Sequence, residues 1–227
     1  MTAAANAVLD QLREKGSAKN VEGMSRYAIA GEGRLGTSMP DIRKIAKRAG
    51  KNHQLALELW KSGIAEAQIA ASLIDVPGEV TDAQMDEWVV DFNSWDVTDQ
   101  VCLNLFDKTQ FAEQKIHEWS VRDEEFVKRA AYALIAGVAW HDKQAPDNRF
   151  IEYLPVIKMG ATDERNFVKK AVSWALRHIG KRNLELNKAA IKTAKEIQQI
   201  DSKAARWIAS DVIRELESEK IQDRLAR

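Results

Sequence analysis

Phe126-Val127-Lys128-Arg129-Ala130 recurs as Phe167-Val168-Lys169-Lys170-Ala171, 41 residues further along the chain, and this repetition decides the fold. Each copy follows an acidic lead-in, Asp123-Glu124-Glu125 before the first and Asp163-Glu164 before the second. A weaker echo follows, because Lys170-Ala171-x-x-Trp174 reappears as Lys203-Ala204-x-x-Trp207, 33 residues on. The segments around these motifs carry apolar residues at helical spacing. Asn-Gly and Asp-Gly hairpin pairs are absent, and no run alternates as a strand would. With only 11 Gly and 4 Pro among 227 residues, the chain is poor in breakers and rich in helix formers.

A period near ~40 residues is that of HEAT and armadillo helix pairs, each of which must stack on a neighbour to bury its apolar face. The expectation is therefore an all-α, HEAT/armadillo-like helical-repeat solenoid with a concave basic face, a single domain over 1–227 of roughly six helical pairs. Local signals agree. Ala4, Val8, Leu9 and Leu12 mark an amphipathic first helix. Ser38, Pro40 and Asp41 open a helix through Ile42, Ile45 and Ala46 that Gly50 closes, and another helix ends at Gly180 after Arg177 and His178. The stretch from Trp140 to Asn148, with Pro146, is the best irregular connection.

Formal charges balance at 34 basic and 34 acidic residues, but unevenly along the chain. Between Arg165 and Lys195 lie nine basic residues (Arg165, Lys169, Lys170, Arg177, Lys181, Arg182, Lys188, Lys192 and Lys195) against one acid, Glu185, a net +8 that leaves −8 for the remainder. Such a segment suits a polyanion, or is simply a solvated face. The single cysteine, Cys102, excludes an intramolecular disulfide and fits a reducing compartment. The four scattered histidines lack metal-ligand spacing, so neither metal nor cofactor is expected. No stretch approaches the ~18 apolar residues of a membrane span, and a cytoplasmic monomer is the expectation.

Ser94-Trp95-Asp96-Val97-Thr98-Asp99 carries the chemistry-bearing residues. On a helix Trp95 and Asp99 share a face one turn apart, with Asp96 off it. Arg129 falls in the repeated motif, and Trp174 stands four residues beyond Lys170 with Arg177 on nearly the same face. Indole rings and a carboxylate stabilise a sugar that becomes cationic, while basic groups hold phosphates. The bland alternatives are that Asp99 is a surface or ion-pairing residue and that tryptophans at helical spacing are core, as expected for Trp60, Trp88, Trp119 and Trp140.

Read together, Met24-Ser25-Arg26-Tyr27, Leu35 to Arg43, Ser94 to Asp99, Lys128-Arg129-Ala130-Ala131 and Phe167 to Trp174 resemble the AlkD-type DNA alkylation repair proteins, the HEAT-like repeat DNA glycosylases, over nearly the whole chain. The resemblance implies removal of positively charged alkylated purines, 3-methyladenine and 7-methylguanine, from double-stranded DNA without a cofactor. It implies Asp99 as the catalytic carboxylate, Trp95 and Trp174 as aromatic walls against the lesion's sugar, and Arg129 beside them at the DNA backbone. Tyr27 matches a DNA-contacting tyrosine of the family, and Arg43, Lys128 and Lys169 lie in the matching segments as further DNA-binding residues. Helix phase adds Lys170 and Arg177 as phosphate contacts. Ser94 stands where some relatives carry a second Trp. Other readings are a non-catalytic protein that binds damaged, bent or branched DNA, and a protein–protein adaptor with an exposed apolar groove.

Overall fold

A computed structural model describes residues 1–29 and 33–226. It contains helices and turns and, among the described residues, no strand. Two compact units divide the chain, Met1–Phe111 and Ala112–Arg227. No helix among the described residues is long and apolar enough to cross a membrane.

The first unit comprises α1 (Ala3–Glu14), α2 (Ala18–Met24), α3 (Met39–Ala49), α4 (His53–Trp60), α5 (Ala65–Ile74), α6 (Asp82–Val90) and α7 (Trp95–Asn104), with 3-10 turns at Ser25–Tyr27 and Phe106–Lys108. Ala5, rather than Ala4, joins Val8, Leu9 and Leu12 on the buried stripe of α1. The start and stop of α3 follow the sequence signals. Ser38 Oγ accepts from the Asp41 amide, Pro40 sits in the first turn, and Gly50 closes the helix at φ 76°. At the centre of the unit α5 packs against α3, α4 and α7 and is buried nearly all round. Beside it Trp60 and Trp88 stack with ring centroids 3.9 Å apart.

The second unit comprises α8 (Ala112–Ser120), α9 (Glu125–His141), α10 (Asp147–Gly160), α11 (Asn166–Gly180), α12 (Leu184–Gln198), α13 (Lys203–Leu216) and α14 (Glu219–Leu225). Here the repeat takes physical form. Helices α8 and α9, α10 and α11, and α12 and α13 pack as pairs, and of the second members α11 packs against both α9 and α13. Both motif copies occupy the first turns of their helices. Val127 and Ala130 in one, and Val168 and Ala171 in the other, are buried at matching positions. The copies also touch, because the Phe126 and Phe167 rings lie 5.5 Å apart and Arg129 Nη1 donates to the Phe167 carbonyl at 2.6 Å.

Two expectations need correction in this unit. Helices α9, α11 and α13 begin at Glu125, Asn166 and Lys203, so the second interval is 37 residues and not 33. The Lys-Ala-x-x-Trp echo is displaced by four residues, one helical turn, which preserves the face and so imitates a repeat. Trp60, Trp88 and Trp119 are core, as expected, but Trp140 is 51% exposed. It stands in the last turn of α9.

Candidate functional site

Trp95 and Asp99 belong to the first unit. Trp95 opens α7 and Asp99 follows one turn later, both half-buried, while Val97, Thr98 and Val101 bury the opposite side of the helix. Neither Trp95 nor Trp174 is consumed by the core, which sequence alone leaves open. The Trp95 indole Nε1–H donates to the Tyr27 carbonyl at 2.9 Å, so two residues 68 positions apart in sequence meet. The Tyr27 side chain is 70% exposed beyond this contact. Arg43, on α3, is exposed as well.

The start of α7 is held by a network that sequence reading did not single out. Arg34 reaches Asp96 with both terminal nitrogens, Nη1 to Oδ2 and Nη2 to Oδ1, each at 2.7 Å, and Nη2 also donates to Ser94 Oγ at 2.8 Å. Its side chain is only 3% exposed, so this is a largely desolvated, two-pronged ion pair. The Arg34 segment is fixed in turn by Glu66, a buried acid of α5, whose carboxylate accepts the amides of Leu35 at 3.0 Å and Gly36 at 2.7 Å. Gly36 is obligatory there. Its φ is 77°, and a Cβ would lie 2.2 Å from the Ser17 carbonyl oxygen. One signal was available in advance, since Glu66 is a lone acid in the otherwise apolar and small run Ile64-Ala65-Glu66-Ala67. The reach of Arg34 to residues 60 and 62 positions away left no local trace.

The second unit holds Arg129, Trp174 and the lysines. Trp174 is half-buried on α11, edge-on to His178 with ring centroids 5.6 Å apart, and Lys170 one turn before it is exposed. Lys169 places its ammonium over the Trp207 ring, 5.1 Å from the centroid. Other expected DNA contacts have internal roles. Arg129 is 6% exposed and binds the Phe167 carbonyl, so it joins the two motif copies and is not displayed as an open phosphate ligand. Lys128 lies 3.5 Å from the Asp163 carboxylate. Arg177 is bonded to Glu215 and lies 3.4 Å from Asp211, which also accepts a hydrogen bond from Ser173 Oγ at 2.7 Å.

These pairings alter the meaning of the positive stretch. Of its nine basic residues, five (Arg165, Arg177, Lys181, Lys188 and Lys195) form ion pairs, four of them with acids outside the stretch. Arg182 is directed at the carbonyls of Ala139, Asp142 and Ala145. The excess positive charge of the segment is therefore partly compensated by ion pairing, while Lys170 and Lys192 are exposed and have no carboxylate at ion-pairing distance among the described residues.

Burial and the neighbouring Lys181 and Arg177 lower the His178 pKa to about 3, so this imidazole is neutral at physiological pH. Burial alone would raise Glu215, but hydrogen bonds from Lys181 and Arg177 outweigh it and hold the acid at about 2. Through Arg177 and Lys181, Glu215 ties the end of α11 to α13, while His178 packs against the Trp140 and Trp174 rings.

Comparison with known proteins gives these features a context. Residues 8–216 match the family model described as DNA alkylation repair enzyme. No curated protein matches the chain. Among solved structures the chain is similar to one described as a new family of proteins related to the HEAT-like repeat DNA glycosylases with affinity for branched DNA structures. That match has a TM-score of 0.73 at 19% identity and covers 92% of this chain and 94% of the other. It establishes the HEAT-like helical-repeat fold. An engineered protein (TM-score 0.45, 14% identity, covering 96% and 99%) and a designed armadillo repeat protein (TM-score 0.35, 16% identity, covering 78% and 92%) also match.

Proposed function

Because the chain belongs to the family of DNA alkylation repair enzymes, we propose that it is a DNA glycosylase acting on positively charged alkylated purines, 3-methyladenine and 7-methylguanine, in duplex DNA. The observation that supports this reading is the pair on α7, Trp95 and Asp99, both half-buried and one helical turn apart at a helix start held by the Arg34–Asp96 ion pair. Trp174, the other indole that the resemblance implies, is half-buried on α11.

The chemistry suits so small a set of groups. Breaking the bond between C1′ and the purine nitrogen sends the electron pair into a ring that already bears a positive charge. The base departs neutral and needs no general acid. The sugar becomes oxocarbenium-like, and Asp99 stabilises that charge while accepting a hydrogen bond from the incoming water. Water adds its oxygen to C1′ and loses a proton to solvent, leaving an abasic site. Trp95 presents a π-face to the cationic sugar, and the resemblance gives Trp174 the same role. Tyr27, Arg43 and Lys170 are exposed residues suited to contact the DNA backbone, whereas Arg129 and Arg177 brace α11, which carries Lys170. On this reading the protein is cytoplasmic and associates with the nucleoid when it acts on DNA.

The test is to incubate duplex DNA containing 7-methylguanine with the protein and count abasic sites. Intact protein should release the base, and Asp99→Asn should lose about 10²–10³-fold in rate while binding DNA as before. Equal release by both proteins would refute the role of Asp99. A second reading, DNA binding without base release, is favoured by the branched-DNA affinity of the structurally similar protein. It predicts salt-sensitive binding, weakened by Lys170→Glu, with no abasic sites from the intact protein.

A further inference from the structure

One turn beyond Trp174 on α11, the second unit contains a cleft that the glycosylase reading does not use. It lies where the C-terminal ends of α9 and α11 meet the connections 142–146 and 181–183, with α14 alongside. Its volume is about 400 Å³, and Trp140, Lys143, His178, Lys181, Arg182 and Arg224 are among its lining residues. This size lies within the roughly 300–1,000 Å³ range of small-ligand sites.

Two features of the lining are otherwise unaccounted for. The first is aromatic. Trp140 is half-exposed at the cleft, stacked on His141 at 5.0 Å, and His178 stands edge-on to it at 6.0 Å. An indole left in water forgoes the burial that stabilises its six counterparts to varying degrees, and a π-face at the wall of a polar cleft is suited to stacking. The second is charge. Four cations line the cleft against one carboxylate, Asp147, which is already held by Asn183 Nδ2 at 2.9 and 3.0 Å. Lys181 is paired with Glu215, and the Arg182 guanidinium is occupied by backbone carbonyls and the Phe150 ring. Lys143 and Arg224 remain, with no carboxylate at ion-pairing distance among the described residues. Arg224 is aimed by its own bond to the Lys181 carbonyl at 2.9 Å.

A flat aromatic face beside two uncompensated cations matches one chemical unit, a planar base joined to a phosphate. We propose that this cleft binds an unpaired nucleotide, its base stacked on Trp140 and its phosphate held by Lys143 and Arg224. Bases within a duplex are paired and stacked and cannot present a free face. The occupant is therefore a single-stranded tail or displaced nucleotide next to the bound duplex, or a free nucleotide of the same chemistry. His178, neutral because of its burial, adds no charge that would bias the cleft toward a bare anion. The inference rests on the DNA-binding part of the proposed function and not on base release.

Fluorescence anisotropy can compare a blunt duplex with the same duplex carrying a short single-stranded thymidine tail, using the full chain. The tail is expected to raise affinity about tenfold, the value of one stacked base. Trp140→Ala should abolish that increment and leave blunt-duplex affinity unchanged, and the exposed Lys143→Glu should reduce it without relying on any change to the indole. Thymidine monophosphate added as competitor distinguishes the sources. Suppression of the increment assigns the cleft to nucleotides in general, and resistance assigns it to the connected strand. Equal affinity for blunt and tailed duplex, or an increment that survives both substitutions, overturns the proposal. A protein that shows the increment but releases no 7-methylguanine retains this site and loses the glycosylase reading.

Discussion

The indole nitrogen of Trp95 donates to the main-chain carbonyl of Tyr27 at 2.9 Å, tying the first residue of α7 to the 3-10 turn that follows α2. A residue proposed to face the sugar and one proposed to face the backbone are thus positioned by each other. Trp95→Phe separates the two contributions of this side chain, because it keeps an aromatic face and removes the N–H. A hydrogen bond of this kind is worth about 0.5–1.5 kcal/mol, so single-turnover base release should fall roughly two- to tenfold. Trp95→Ala, which also removes the π-face, should fall further. Equal losses in the two variants would show that the ring itself contributes nothing to the reaction.

Arg34 presents a different dependence, since it touches no proposed substrate atom and yet fixes the helix that does. Removing one partner of a buried ion pair leaves the other charge desolvated and unpaired, at a cost of about 3–5 kcal/mol. Asp96 keeps some exposure, 18% of its side chain, so Arg34→Ala should lie near the lower end of that range in urea unfolding. Asp96 also sits in the first turn of α7, where a carboxylate is favoured by the helix dipole. The paired replacement Arg34→Met with Asp96→Asn should recover part of the loss, because no unpaired charge remains. If Arg34→Ala unfolds at the same urea concentration as the parent, the network does not hold α7.

Close approach of two helices in the second unit sets a third expectation. Gly160 ends α10 against Tyr132, a fully buried ring of α9, and a Cβ at Gly160 would lie 2.0 Å from the tyrosine oxygen and 2.5 Å from Cζ. Overpacking of this kind costs about 1–3 kcal/mol where the surroundings can shift, and more where they cannot. Gly160→Ala should therefore lower the thermal midpoint measurably. Combined with Tyr132→Leu, which frees the space, it should cost less than the two single effects added. Strict additivity would mean that the two residues are not in steric conflict.

The sequence was most legible where the physics is local or periodic. Helix α3 is announced by its cap, its first-turn proline and its closing glycine, and α9 and α11 by two matching motifs whose Val and Ala residues are buried at matching positions. The same periodicity misled at 33 residues, since a slip of one turn keeps the helix face and escapes a pattern-based reading. Trp95, Asp99 and Trp174, singled out by their spacing and by resemblance, are each half-buried, so none of them is taken up wholly by the core. Charge was legible in amount and not in arrangement. Arg177 and Lys181 look like free cations until Glu215, 38 and 34 residues away, is folded against them. Arg34 and Glu66 were missed for the same reason, as their partners are set by tertiary packing and not by spacing.

Acid should expose the anchoring role of His178. Its folded pKa of about 3 is below the value of about 6.5 for an unfolded chain, so the unfolded state binds a proton that the folded state refuses. This contribution to stability is complete above pH 6.5 and declines as the pH falls from there toward 3. Glu215 acts in the same direction over a lower window. Held at about 2 when folded, it stabilises fully above its unfolded value of 4.5 and loses that contribution as the pH falls toward 2. Urea midpoints measured from pH 7.5 to 4 should therefore decline in two stages. His178→Gln should remove the first stage, between pH 6.5 and 4.5, and leave the start of the second. Glu215→Gln should lower stability at neutral pH, where it leaves Arg177 and Lys181 short of an acid, and make the profile less steep below pH 4.5, where only the His178 contribution then declines. A parent profile that is level between pH 6.5 and 4.5 would mean that His178 is protonated in the folded protein, and that its contact with the two indoles tolerates the charge.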